Sequence, residues 1–195
     1  MDDRATLEEA VHAISEESEH MKELVDQLLF LARGDGGRQQ FHPEPVQAEE
    51  LLKEICEESE MIDRKHQYGL TVKWNGYIEA DVAMMKQAIR ILVDNAAKYT
   101  PEGGRITFRL DLCEDGRVGL GVQDEGIGLK AEEAAHIFER FFRGDAVRGT
   151  TQGSGLGLSI AKWIADRHHV VIEVISFEGM GSRITIKMPV YEKKS

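Results

Sequence analysis

The sequence contains no apolar run near the ~20 residues that a membrane-spanning helix requires, so we expect any membrane anchor to lie outside it. Its acidic N-terminus lacks the basic start of a secretory signal peptide. Basic charge is scarce as well, since 24 Lys and Arg stand against 35 Asp and Glu, for a net charge of -11. Such a surface repels the backbone of DNA and RNA, although local charge and backbone N–H groups still allow a small phosphate-bearing ligand.

Cysteine is nearly absent. Cys56 lies in a helix-like run and Cys113 in a strand-like one, at a spacing that matches neither a metal site nor a disulfide framework. Buried or incidental thiols in a reducing compartment are the better interpretation. We therefore expect a soluble cytoplasmic region, whether or not its parent protein is anchored in a membrane.

The first segment, about Asp3 to Arg33, contains no Gly or Pro. Its apolar residues recur at alternating steps of four and three, the spacing of a helix with a heptad seam. A lone helix has nothing against which to bury this seam, so a partner helix is expected; a helix that packs on its own domain is the alternative. The seam consists of Leu7, Val11, Ile14, Ser18, Met21, Val25, Leu28 and Ala32, with Ser18 its one polar member.

The chain divides by composition into a helix over residues 1–34, a linker over 35–45 with two prolines, and a domain over 46–195. Within the domain we predict an α+β fold. This is a two-layer α/β sandwich in which a mixed, mainly antiparallel sheet carries helices on one face, preceded by the long N-terminal helix. Helices are predicted over about 47–62, 82–99 and 155–168, and strands over about 69–74, 77–80, 105–112, 118–123, 170–176 and 182–189.

Two short motifs lie at the ends of predicted elements. Asn95 and Lys98 lie near the end of a helix; an amide oxygen suits magnesium, and a lysine supplies positive charge for phosphates, although both also suit a solvated surface. Asp124-Glu125-Gly126-Ile127-Gly128 directly follows a strand. A carboxylate there can accept a hydrogen bond from an exocyclic amine such as that of adenine, and glycines allow close backbone approach; a plain Asp-Gly turn is the alternative.

Two further motifs come later in the chain. The run 138–143 is Phe-Glu-Arg-Phe-Phe-Arg, which suggests a loop anchored by phenylalanines from which Arg140, Arg143 or the later Arg148 reaches phosphate, unless they are solvated. Glycines at 153–157 open a helix and so expose N–H groups to an anion. Residues 129–152 have few apolar anchors, so we predict a mobile lid whose ordering depends on ligand.

The order of these motifs resembles the catalytic domain of sensor histidine kinases, within the wider family shared with gyrase, MutL and a class of heat-shock chaperones. The resemblance runs from about Pro45 to Pro189 and ends in a last glycine box at residues 179–185. The preceding helix resembles the second helix of the dimerisation and histidine-phosphotransfer hairpin. The first helix, which carries the phosphoacceptor box, is absent, and neither His12 nor His20 lies in such a box.

The resemblance implies an ATP-binding kinase domain that uses ATP and Mg²⁺. Its γ-phosphate would pass to a histidine outside this sequence, on the same or the partner chain of a homodimer, with a response regulator as a further partner. The implied chemical residues are Asn95 for magnesium, with Lys98 and Arg143 for the phosphates. The implied nucleotide site comprises these three with Tyr99, Asp124, Gly126, Ile127, Gly128, Gly153, Ser154, Gly155, Leu156, Gly157, Leu158 and Thr185.

One position departs from the ATP-hydrolysing relatives, in which a glutamate one turn before the asparagine activates water. Here that position is Ile91, which cannot accept a proton. The departure favours a kinase over a gyrase- or MutL-type ATPase. A nucleotide-binding dimerisation module without kinase activity remains the other alternative.

Overall fold

The computed structural model of the protein describes residues 3–37, 39–144 and 153–192. It contains two compact units, residues 1–39 and residues 40–195. The first unit is formed by helix α1, Asp3–Asp35. Its seam is open to solvent, with 65% of Leu7, 59% of Val11 and 70% of Ile14 exposed. Among the described residues, no helix combines the length and the apolar character that crossing a bilayer requires.

The second unit alternates strands with three longer helices. In chain order its elements are β1 (Glu44–Gln47), α2 (Ala48–Ile62), β2 (Gln67–Val72), β3 (Tyr77–Ala80), α3 (Val82–Tyr99), β4 (Arg105–Leu112), β5 (Val118–Asp124), the short α4 (Ala131–Ala134), α5 (Gly157–Arg167), β6 (Val171–Phe177) and β7 (Gly181–Met188). Strands β1 and β3 form a small antiparallel pair. The other five form one sheet in the order β2-β4-β5-β7-β6, in which β2 and β4 are parallel and all other pairs antiparallel.

The large sheet has one apolar face because its side chains alternate. The register aligns Phe108, Val122 and Ile184 in one cross-strand row, and all three are buried. Helices α2, α3 and α5 contact the sheet, and α3 contacts both α2 and α5. The adjacent row, Arg109 with Gly121 and Thr185, therefore lies on the opposite face. The α+β sandwich predicted from the sequence is confirmed.

Helix α3 is held at both ends. The Asp81 carboxylate accepts the Met84 N–H at 3.1 Å and so caps the first turn. At the other end Thr100 adopts an extended conformation, and its N–H still donates to the Ala96 carbonyl at 3.0 Å. One face of α3 is buried from Met84 to Ala96. The half-buried positions Ile91, Asn95 and Tyr99 follow one another at four-residue steps, so they share a second face.

Among the differences between the predicted and the observed elements, those at β1 and β2 alter the account of the fold most. Strand β1 falls across the boundary between the predicted linker and domain, where Pro43 and Pro45 suggested only an extended chain. Prolines are tolerated there because β1 pairs with a single neighbour and needs few ladder N–H groups. Strand β2 begins at Gln67, two residues earlier than predicted.

Candidate functional site

The C-terminal end of α3 lies between two glycine-containing loops. On one side, the Tyr99 carbonyl accepts the Ile127 N–H at 3.2 Å, and a Cβ added to Gly126 would lie 2.6 Å from the same oxygen. On the other side, Gly153 lies against the Lys98 ammonium so closely that a Cβ there would collide with it. These contacts bring together three of the motifs that were singled out in the sequence, and the fourth, at 138–143, joins the second loop through Phe141.

Asp124 is an oriented carboxylate at the end of β5. Its Oδ1 accepts two backbone N–H groups, from Gly126 at 2.8 Å and from Ser182 at 3.1 Å. Burial raises the pKa of Asp124, and these two hydrogen bonds offset the increase only in part. No described residue donates to Oδ2. This oxygen is therefore available to a donor on a ligand.

The loop after Asp124 requires glycine at residue 128. Gly128 has a φ of +66°, and an added Cβ would collide with the Phe177 carbonyl. The Ile127 carbonyl accepts the Gly179 N–H at 2.7 Å, which ties this loop to the β6–β7 hairpin. The Ile127 side chain itself is 42% exposed and can meet a flat ligand.

The ammonium of Lys98 lies half-buried beside this loop. Burial lowers the pKa of Lys98, and the neighbouring Arg143 guanidinium lowers it further. The Lys98 ammonium lies 5.5 Å from the centre of the Tyr99 ring and forms no ion pair with any described residue. Burial raises the pKa of the Tyr99 hydroxyl, while the positive Arg143 opposes this shift. A bound polyanion would favour the charged form of Lys98.

Asn95 offers a neutral oxygen on the same helix. Its half-buried side chain forms no hydrogen bond with any described residue, so the amide is available to a cation or to water. No cluster of three or more His, Cys, Asp or Glu side chains suited to a metal occurs in residues 3–37, 39–144 and 153–192. One amide oxygen fits Mg²⁺ well when phosphates and water supply its other ligands.

The second glycine loop is braced by the phenylalanine motif. Gly155 has a φ of +70°, its carbonyl accepts the Phe141 N–H at 3.0 Å, and a Cβ there would lie 2.8 Å from the Phe142 carbonyl. Ser154 Oγ accepts the Leu156 N–H at 3.1 Å, and Leu156 is fully buried at the start of α5. Loop and motif therefore hold each other next to α3. Leu158 follows in the first turn of α5.

The helix α5 begins directly against the position that carries glutamate in ATP-hydrolysing relatives. A Cβ added to Gly157 would lie 3.3 Å from Ile91 Cγ2. An aliphatic side chain, which cannot accept a proton, thus occupies this position.

Thr185 is the one described candidate that the structure does not bring to this site. It lies on the face of the sheet opposite the helices, in a groove of about 700 Å³ that Gly119 and Gly121 also line. Ser182, near the start of β7, reaches the site instead, because its backbone N–H donates to Asp124 Oδ1. Arg148 and the rest of 145–152, which belong to the predicted lid, lie outside the described residues.

Comparison with known proteins agrees with this geometry. Residues 80–192 match the family described as histidine kinase-, DNA gyrase B-, and HSP90-like ATPase. The mycobacterial sensor histidine kinase MprB is 30% identical, with a TM-score of 0.66 over 76% of this chain and 98% of that chain. Full-length ShkA in complex with AMPPNP is 26% identical, with a TM-score of 0.81 over 96% of this chain and 40% of that chain.

Sequence relatives point to the same group. The sensor histidine kinase YkoH of Bacillus subtilis is 37% identical over 185 residues, which cover 93% of this chain and 39% of YkoH. WalK of the same organism is 35% identical, over 91% of this chain and 30% of WalK. The chain belongs to this ATPase family and, within it, to the catalytic ATP-binding domains of sensor histidine kinases. It spans less than half the length of these two curated relatives.

Proposed function

We propose that this chain is the ATP-binding catalytic part of a two-component sensor histidine kinase, which transfers the γ-phosphate of ATP to a histidine outside residues 1–195. The observation that carries the proposal is the position of the Lys98 ammonium, which lies half-buried against Gly153 with no described carboxylate as its partner. Burial lowers the pKa of Lys98, and a buried cation without a described counter-charge indicates an anionic ligand at that place.

The adenine end of the nucleotide is assigned to Asp124. Its Oδ1 is fixed by two backbone N–H groups, so Oδ2 points an acceptor at the exocyclic amine of adenine. The Ile127 N–H donates to the Tyr99 carbonyl, so the two residues lie together beside this loop, and we expect their side chains to offer surfaces for the base or the ribose. We expect Gly126 and Gly128 to allow the close backbone approach that this requires.

The triphosphate end is assigned to the second loop. Lys98 and Arg143 neutralise the phosphate charge, and the segment Gly153 to Leu158 frames the phosphates at the start of α5. Asn95 would hold Mg²⁺ together with the phosphates, and the ion would supply further neutralisation of their charge. Phosphoryl transfer demands little covalent work from the protein, so these residues act by positioning and by charge.

In the transfer itself, an imidazole nitrogen forms a bond to the γ-phosphorus while the bond from that phosphorus to the bridging oxygen breaks. ADP leaves with the electron pair of that bond. Ile91 beside Gly157 leaves water without a base at this place, so the bound nucleotide is kept for the imidazole. This contact also favours the kinase over a gyrase- or MutL-type ATPase.

Helix α1 is assigned to the dimerisation and phosphotransfer region. Its exposed seam requires a partner surface, and a preceding helix of the same hairpin and the matching helices of a second copy would provide it. The full protein is then a homodimer whose phosphorylated histidine passes its phosphate to a response regulator.

The test is phosphorylation with γ-labelled ATP and Mg²⁺. A chain extended upstream in its own gene, so that it includes the preceding helix, should gain acid-labile label, whereas residues 1–195 alone should not. Lys98→Met should reduce the labelling of the extended chain at least tenfold, since it removes a phosphate contact worth about 1.5–3 kcal/mol. Lys86→Met is the matched control, because Lys86 lies on the same helix but pairs with Glu54 on the surface.

Three results would contradict the proposal. Label on His12 or His20 of the 195-residue chain would place the phosphoacceptor inside it. Release of inorganic phosphate without labelling of the extended chain would indicate an ATPase. Tight nucleotide binding with neither activity would indicate a binding module.

A further inference from the structure

A buried histidine lies behind the candidate site, at a position that none of the motifs includes. His66 stands between the end of α2 and the start of β2, and only 7% of its side chain is exposed. Its Nδ1 lies 2.6 Å from Asp63 Oδ2, and its Nε2 lies 3.0 Å from the Thr100 carbonyl oxygen. The imidazole thus bridges the end of α2 and the end of α3.

Both partners of the ring are acceptors. A backbone carbonyl can only accept, so Nε2 carries a proton. The Asp63 carboxylate already accepts the Tyr68 hydroxyl at 2.7 Å and the Lys65 N–H at 2.8 Å, as an ionised carboxylate does. Nδ1 must then carry a proton as well. This geometry requires His66 to be an imidazolium, paired with an ionised Asp63.

The surrounding charges favour that state. Burial alone would lower the pKa of His66, but the hydrogen bonds to Asp63 and to the Thr100 carbonyl, together with the negative charges of Asp63 and Glu102, raise it above its usual value. Burial opposes ionisation of Asp63 too, yet the bonds from His66, Lys65 and Tyr68 lower its pKa. Asp94 of α3 and Cys56 of α2 also face this group, near Tyr68.

The carbonyl that His66 holds is one residue from the site. Thr100 caps α3, where its hydroxyl and its N–H both donate to the Ala96 carbonyl at 2.7 and 3.0 Å. The preceding carbonyl, that of Tyr99, receives the Ile127 N–H of the Asp124–Gly128 loop. A second hydrogen bond joins the same two segments, because the Gly103 N–H donates to the Lys65 carbonyl at 2.8 Å. A positive charge at a helix C-terminus also stabilises its carbonyls.

We propose that His66 is a positioning residue for nucleotide binding, which clamps the end of α3 as an imidazolium and thereby fixes the Tyr99 carbonyl beneath the Asp124–Gly128 loop. The inference rests on the proposed function, because it takes that loop as the adenine-binding segment. Since the raised pKa favours the charged form in the folded protein, the clamp is complete at low pH. It is lost as the pH rises through the pKa of folded His66, and nucleotide affinity should fall with it.

The experiment combines NMR and binding in residues 1–195. The ring signals of His66 should report two N–H groups at pH 7 and a pKa above the ordinary value for histidine. Affinity for Mg-ADP, measured by calorimetry, should be about fivefold weaker in His66→Gln at pH 6, the low end of usual coupling between sites. The two proteins should become equal above the pKa of His66. His12→Gln should match the wild type at every pH.

The outcomes separate the two proposals. If the wild type does not bind Mg-ADP, the proposed function fails. If it binds, but His66 is neutral at pH 7 or His66→Gln keeps a constant affinity ratio across pH, the clamp is refuted. Should His66→Gln unfold, Asp63→Asn serves instead, because it leaves the Thr100 contact but removes the charge that holds the second proton. It should lower the pKa of His66 and shift the fall in affinity to lower pH.

Discussion

The sharpest test of the adenine assignment is Asp124→Asn. The substitution keeps the size and shape of the side chain. Its amide oxygen can still accept the N–H groups of Gly126 and Ser182, so the loop geometry should persist. The change lies at the other atom, where an NH₂ group replaces Oδ2. A donor then faces the exocyclic amine of adenine, itself a donor.

The expected magnitude follows from that one exchange. A hydrogen bond to a charged group contributes about 1.5–3 kcal/mol, and its loss corresponds to roughly 10- to 100-fold weaker ATP binding. GTP presents a carbonyl oxygen in place of the amine, so the variant should bind GTP no more weakly than the wild type does. The ratio of ATP to GTP affinity should therefore collapse.

Stability gives a second and independent measurement. Burial raises the pKa of Asp124, so its ionised form costs the folded protein free energy at pH values above that pKa. A neutral amide does not carry this cost. The free energy of unfolding of Asp124→Asn at pH 7 should thus equal or exceed that of the wild type, while ATP affinity falls.

Calorimetry with Mg-ATP and Mg-GTP, together with urea unfolding, would provide both measurements. Asp115→Asn is the control, since Asp115 pairs with Arg117 in an exposed hairpin and lies outside the site. It should leave both nucleotide affinities unchanged. Equal affinity of the wild type for ATP and GTP, unaltered by Asp124→Asn, would refute the adenine assignment.

Two further substitutions test the second loop and the far end of α3. Gly155→Ala should weaken Mg-ATP binding in calorimetry, because the residue has a positive φ and a Cβ would strike the Phe142 carbonyl. Gly116→Ala is the control: Gly116 has a φ of +77° and no neighbour within 4 Å, so the backbone strain should cost a similar ~1–2 kcal/mol without affecting ATP binding. Equal ATP affinities in the two variants would count against the loop assignment. His168 accepts the Asp81 N–H at Nε2 and donates from Nδ1 to the Ile164 carbonyl, so it is neutral, and burial lowers its pKa. The contribution of His168 to stability should be present above about pH 6.5 and lost as the pH falls through its lowered pKa. Urea unfolding from pH 7 to 5 should therefore show a steeper fall in the free energy of unfolding for the wild type than for His168→Gln.

Much of the fold was predictable because its periodic signals are long. The heptad spacing of α1 and the mixed apolar pattern of α3 each extend over 18 residues or more. Strand β1 was not predictable, since four residues with a proline carry little pattern and depend on pairing with β3. Strand order and the parallel β2–β4 pair arise from contacts between distant segments, which local patterns do not encode.

The candidate site shows the same limit at the level of single residues. Asp124 could be singled out because glycines follow it directly after a strand, and Lys98 because it lies near the end of a helix. Thr185 was included in the implied nucleotide site, but it lies on the face of the sheet opposite the helices, and that placement depends on the register of β7 with β5. His66 carried no motif at all, and its proximity to Thr100 exists only once β2 lies beside β4.

The geometry of helix α3 limits where insertions and deletions can occur in this domain during evolution. The helix runs without interruption from its Asp81 cap to Tyr99, so the helical period fixes which residues face the core and which, such as Asn95 and Tyr99, face the site. A single inserted residue would turn everything beyond it by about 100° and advance it by 1.5 Å, so Asn95 would leave the site while Met84 stayed in the core. In the turn at 113–117, no helical period fixes the direction of the residues that follow. Insertions and deletions among natural variants should therefore accumulate in that turn and be absent from 82–99.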